Sequence, residues 1–183
     1  FNDGDKDYPL DGKVTVPNGG NHIAKSGKQN GENVDWTVNI NFSQSTIEDA
    51  IIRDTPSTNQ RVLKDTIKLF GTKVDNKGAV TIDTTKVLVE GTDYTLIFND
   101  DPLTGVQTFE IHFLQTLTSP YVMKYSAVID EINGNQVSNG IAIEGKNTQI
   151  IEGDDDDYIV VQSSTGSGTG NGFRGSIIVT KKD

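Results

Sequence analysis

Hydrophobic and polar residues alternate with a period of two along most of this chain. Val34 to Phe42 reads V-D-W-T-V-N-I-N-F, placing Val34, Trp36, Val38, Ile40 and Phe42 on one face. Asp35, Thr37, Asn39 and Asn41 occupy the other. Successive side chains of a strand point to opposite sides, so this is a half-buried strand. The same reading predicts strands over 50–54, 65–70, 79–82, 86–89, 94–98, 106–114, 121–129, 136–143 and 158–162. Turn signals separate them: Asn76-Lys77-Gly78, Glu90-Gly91-Thr92-Asp93, Asp100-Asp101-Pro102 and Asn133-Gly134-Asn135. A short helical turn fits 45–49, and no longer helical period is present. Many short strands with no helices between them predict an all-β, antiparallel sandwich.

The ends differ from the middle. Residues 1–20 are polar and turn-rich, a leader or the tail of a preceding subdomain. The sandwich is expected over 21–163. A Gly-rich linker or latch is expected over 164–175, where the chain reads S-T-G-S-G-T-G-N-G-F-R-G. Residues 176–183 read as the first strand of a following domain, cut short.

Three polar residues break the pattern. Lys25 shares parity with Ile23, Asp54 with Ala50 and Ile52, and Asn139 with Val137, Ile141 and Ile143. Each is therefore directed inward. A lone buried ammonium or carboxylate costs several kcal/mol, so such groups must be paired or neutralised. One solution is a Lys–Asn isopeptide bond. Desolvation favours a neutral amine nucleophile and a protonated acid. The acid polarises the carboxamide and relays protons as ammonia leaves. The alternative is a surface Lys, a turn Asp and a turn Asn, because all three lie near strand ends where parity is weakest.

Composition narrows the field. The chain of 183 residues carries 16 Lys and Arg against 26 Asp and Glu, a net charge of −10. That acidity argues against a nucleic-acid partner, which needs clustered cations. No apolar run approaches the roughly 20 residues of a bilayer span, so no membrane insertion is expected. There is no Cys and there are two His, His22 and His112. Disulfides and thiolate metal sites are excluded, and reinforcement outside a cell must come from something other than sulfur.

The stretch from Lys25 to Asp54 resembles the ligand-binding region of Gram-positive collagen adhesins, specifically the second subdomain of their collagen-binding A region. Four elements occur in the family's order: Lys25-Ser26-Gly27, Trp36 to Asn41, Ile52-Arg53-Asp54 and Val137-Ser138-Asn139. Residues 175–183 resemble the opening strand of the B-type repeats that follow such regions, with Lys181 in the place of that repeat's own reactive lysine. The resemblance covers roughly residues 21–183. It implies a DE-variant immunoglobulin fold and an extracellular adhesin anchored to the cell wall, binding a host extracellular-matrix protein such as collagen beside adjacent domains of the same chain. It also implies a self-formed crosslink with Lys25 as amine donor, Asp54 as proton-relay acid and Asn139 as acceptor. Glu48 and Asp49 are alternative acids, and Asn133 and Asn135 alternative amides.

The ligand face implied by the family is the exposed side of the Trp strand, here Asp35, Thr37, Asn39 and Asn41. The family's collagen binders carry aromatics in this trench, and aromatic faces grip proline rings well. Thr37 and Ala24 stand where aromatics are expected, which favours a second reading: a ligand-free stalk domain of a surface protein or pilus, crosslinked for strength. A carbohydrate-binding sandwich is a third reading; it needs exposed aromatics from among Tyr8, Tyr94, Tyr121, Tyr125 and Tyr158.

Other constellations carry less. Asp3-Gly4-Asp5-Lys6-Asp7 has the alternate acids of a calcium loop, but Tyr8 and Val14 stand where an EF-hand needs Gly and Glu. Asp154 to Asp157 form a solvated turn or a weak calcium site. His112 shares the polar face with Glu110, with no G-x-S-x-G motif to make a hydrolase of it. The glycines after residue 165 lack the strand–turn–helix context of a phosphate cradle. No metal and no cofactor is expected, and the only chemistry foreseen is a single self-reaction rather than enzyme turnover.

Overall fold

The alternation around Trp36 folds as a strand whose inward residues Val34, Trp36, Val38 and Ile40 are all fully buried. In the computed structural model, residues 20–130, 135–153 and 158–162 are described. They form twelve strands: β1 (Ile23–Asn30), β2 (Asn33–Ile40), β3 (Ile51–Pro56), β4 (Gln60–Val62), β5 (Lys68–Val74), β6 (Val80–Val87), β7 (Tyr94–Asp100), β8 (Gln107–Phe113), β9 (Tyr121–Ile129), β10 (Gln136–Gly145), β11 (Thr148–Glu152) and β12 (Tyr158–Val160). One sheet runs β1-β2-β9-β5-β6, with β4 also on β9. The other runs β11-β10-β3-β8-β7, with β12 also on β10. Every strand pairing between named strands is antiparallel. The expected all-β sandwich is what forms, and the only helical element among the described residues is a 3-10 turn at Lys64–Thr66.

The inner faces meet in one core containing Trp36, Leu69, Phe109, Ile111, Met123 and Ile143. Trp36 also explains the glycine of Lys25-Ser26-Gly27. Gly27 pairs directly with Trp36, and a Cβ on it would lie 2.6 Å from the indole. Only glycine lets the ring lie beneath β1. The indole N–H donates to Gln60 Oε1 at 2.8 Å, and Gln60 Nε2 donates to the Ser138 carbonyl at 2.7 Å. This buried amide joins the two sheets.

Several boundaries differ from the sequence expectation, each for a local reason. The strand expected to reach Phe42 ends at Ile40 because Asn41 takes φ 55°, the left-handed region. The strands expected at 79–82 and 86–89 are one strand, β6. Its register against β5 shifts between Phe70 and Thr72, and Asp83 Oδ1 accepts from the Thr85 N–H and hydroxyl there. A bulge of polar residues reads as a break when only apolar alternation is counted. Residues 45–49 make no helix; Ile47 bridges Leu117 instead. Residues 1–19 and 163–183, with the expected leader, linker and following strand, lie outside the described residues.

Candidate functional site

Each sheet contributes to one buried polar cluster. Lys25 on β1 lies opposite Val38 of β2, and Tyr125 on β9 lies opposite Trp36, all in the first sheet. Asp54 on β3 lies between Phe109 of β8 and Ile141 of β10, in the second sheet. Asn139 on β10 lies opposite Pro56. Period-two geometry turns all four side chains into the space between the sheets.

There they are linked in series. Lys25 Nζ donates to Asp54 Oδ2 at 2.6 Å, and neither side chain has any exposed surface. The Tyr125 hydroxyl donates to the same oxygen at 2.8 Å. Asn139 Nδ2 donates to the Tyr125 hydroxyl at 2.5 Å. Aromatic rings wall the amine, with Nζ 5.3 Å from the Trp36 centroid and 5.5 Å from that of Tyr125.

Burial pushes the Asp54 carboxyl above the ordinary carboxylate range, against the opposing pull of Lys25 and the hydrogen bonds from Tyr125 and Asn139. Two oxygens in this water-poor space, Asp54 Oδ1 and Asn139 Oδ1, have no hydrogen-bond partner. Both are acceptors, and a proton on the carboxyl is the one change that turns either into a donor. An acid whose pKa burial raises, an amine and a carboxamide in one buried cluster are the groups that amide exchange uses.

The alternative acids and amides stand elsewhere. Glu48, Asp49 and Asn135 are exposed, and Asn133 lies outside the described residues. The sequence reading places Tyr125 among possible sugar-binding aromatics and not in this cluster. It shares parity with Met123, Ala127 and Ile129, and a buried phenol needs a polar partner, so the signal was present in the alternation.

The outer face of the first sheet carries a groove of about 350 Å³ bordered by Asp35, Thr37, Thr66, Lys68, Phe70 and Lys124. Asp35 is held by the Ser126 hydroxyl at 2.6 Å and Asn30 Nδ2 at 2.9 Å. Thr37 pairs with Lys124, and Asn39, half-buried on the same face, pairs with Val122. Lys68, Phe70 and Lys124 join this face through outward parity in β5 and β9, which the sequence reading left unassigned. Asn41 does not join it. It is fully buried, and its side chain accepts from the Ser45 N–H and donates to the Ser45 and Ser119 carbonyls. Its left-handed backbone turns it away from the strand's polar face.

His112 lies on the outer face of the second sheet, 2.6 Å from Glu110, which Arg53 also binds. Tyr94 and Tyr125 are buried and so offer no sugar platform. Among the described residues no group of His, Cys, Asp and Glu could hold a metal ion. The acids at 3–7 and 154–157, and Lys181, lie outside them.

A family model described as a collagen binding domain matches residues 20–157. No curated protein matches the sequence. Among solved structures the chain is similar to ACE19, the collagen-binding subdomain of the Enterococcus faecalis surface protein ACE, at 16% identity and a TM-score of 0.52, covering 72% of this chain and 91% of that one. It is similar to the longer E. faecalis MSCRAMM ACE at 18% identity and TM-score 0.50, covering 81% of this chain and 49% of that one. The collagen adhesin CNA of Staphylococcus aureus matches at 14% identity and TM-score 0.50, covering 74% and 49%. At these identities the structural likeness speaks for the fold. The family model spans most of the sandwich, including Lys25, Asp54 and Asn139, and by that match the chain belongs to the collagen binding domain family.

Proposed function

We propose that this chain is the ligand-binding subdomain of a cell-wall-anchored surface adhesin, that its ligand is a host extracellular-matrix protein of the collagen class, and that its two sheets are joined by a Lys25–Asn139 isopeptide bond. The carrying observation is the burial of Lys25 and Asn139, from opposite sheets, around a carboxyl with a raised pKa. With the proton on Asp54, Lys25 is a neutral amine. Asp54 polarises the Asn139 carbonyl, Nζ attacks Cγ, and a tetrahedral centre forms. The Cγ–Nδ2 bond then breaks. Nζ gives up one hydrogen, Nδ2 leaves as ammonia, and Asp54 ends protonated as it began.

For the ligand, the groove across β2, β9 and β5 sets Phe70 beside polar Thr37 and Thr66, the acid Asp35 and the cations Lys68 and Lys124. A stalk role without ligand is the second reading, favoured by the small side chains of Ala24 and Thr37 at this face.

Two measurements test the proposal. Intact mass of the purified chain should fall one ammonia short of its sequence, and a full mass would remove the crosslink. Immobilised collagens should retain the chain joined to its preceding subdomain. Absence of binding to collagens, with fibrinogen and fibronectin also negative, would leave the stalk reading.

A further inference from the structure

Tyr125 stands between the relay acid Asp54 and the leaving nitrogen of Asn139, where the crosslink reaction has to deliver a proton. Amide nitrogen cannot leave as an anion; it must collect a proton as its bond to carbon breaks. Lys25 and Asp54 share a hydrogen bond at 2.6 Å, whereas the Asn139 nitrogen donates to the phenol hydroxyl, at 2.5 Å. That hydroxyl in turn donates to Asp54 Oδ2 at 2.8 Å. Amine, carboxyl, phenol and leaving nitrogen thus form one unbroken hydrogen-bonded line. The ring is buried and packed edge-on against Phe109, centroids 5.2 Å apart at 90°, which fixes where the hydroxyl points.

We propose that Tyr125 is the terminal proton donor of the reaction, an inference that rests on the Lys25–Asn139 bond proposed above. When Nζ adds to Cγ, the Asn139 nitrogen becomes pyramidal and gains a lone pair facing the hydroxyl. Nζ passes a proton to Asp54 Oδ2. Asp54 Oδ2 passes one to the phenol oxygen as the phenol passes its own to Nδ2. Ammonia departs, the phenol is restored, and no tyrosinate accumulates, which suits a group whose ordinary pKa is about 10. The same contact holds the carboxamide with its nitrogen toward the relay. Its oxygen, like Asp54 Oδ1, is buried without a hydrogen-bond partner.

Tyr125→Phe keeps the ring and removes the hydroxyl. Newly synthesised protein, sampled over time after synthesis is stopped, reports the reaction through its intact mass. Wild type should lack one ammonia in the earliest samples. Tyr125→Phe, with an unchanged circular dichroism spectrum, should lose it about a hundredfold more slowly, the scale of one general acid. A 3-fluorotyrosine placed at 125 should change the rate through phenol acidity, an effect packing alone would not produce. Equal rates for wild type and Tyr125→Phe, alongside a crosslinked wild type, would overturn the relay and leave the bond standing. A wild type of full mass would remove the bond and the relay together.

Discussion

Lys25 and Asp54 belong to different sheets, yet their side chains meet 2.6 Å apart with no exposed surface on either. Were both charged, desolvation would offset much of their Coulomb attraction, so the pair is a weak source of stability on its own. Its position beside Asn139 is what the proposed crosslink draws on.

Removing either end of the proposed bond should therefore cost more than a hydrogen bond. Asn139→Ala and Lys25→Ala should each restore the full mass. Each should also lower unfolding free energy by about 5 kcal/mol, the scale for releasing a covalent closure of roughly 100 residues. Denaturant titration read by Trp36 fluorescence checks this. Asp54→Ala should likewise remain uncrosslinked, and a crosslinked Asp54→Ala would reassign the acid.

The raised carboxyl pKa predicts a pH dependence. In Lys25→Met the cation that opposes the rise is gone, so burial acts on Asp54 unopposed. A carboxyl whose folded pKa exceeds its unfolded value holds more protons folded than unfolded. Its stabilisation is complete below about pH 4 and is lost as pH rises through the folded pKa, by up to about 1.4 kcal/mol per pH unit. Stability of Lys25→Met should fall from pH 4 upward, and that of Lys25→Met/Asp54→Asn should not. Equal slopes would exclude Asp54 as the cause.

Asn41 should matter for folding and not for ligand. Asn41→Ala removes the side-chain partner of part-buried backbone groups at Ser45 and Ser119 and leaves a residue without the local hydrogen bonds of Asn at φ 55°. A loss of about 2–3 kcal/mol is expected, with collagen retention of the folded fraction unchanged. Loss of binding with full stability would return Asn41 to the ligand face.

If the groove on the first sheet receives proline-rich ligand, supplying an aromatic there should strengthen it. Thr37→Tyr or Ala24→Tyr should raise affinity about fivefold, near 1 kcal/mol of ring contact, and Phe70→Ala should lower it by a similar factor. Surface plasmon resonance on immobilised collagen reads both. No response to any of the three would move the site elsewhere.

Much of the sandwich was legible because its strands bury one face: β2, β8, β9 and β10 all announce themselves by alternation, and Lys25, Asp54 and Asn139 are buried as their inward parity requires. Edge strands were harder. β1 continues past Lys25 through Ser26, Lys28 and Asn30, whose side chains need no burial. β4 is three residues long, and β11 presents an exposed Ile150. The same limit hid Phe70, an apolar residue on an outer face, where polarity and direction no longer agree. Tyr125 escaped for the opposite reason: on an inner face a tyrosine passes as core, and its hydroxyl acquires meaning only once strands distant in sequence have paired.

Lys25 lies on the first strand of the described chain and Asn139 on the tenth, with β2 to β9 between them. Joined, they would turn that span into a macrocycle with β11 and β12 hanging from it as a tail. A protease nicking any one turn within β2 to β9 would then open the circle without releasing a fragment, so the domain could be cut at the host surface and still hold together.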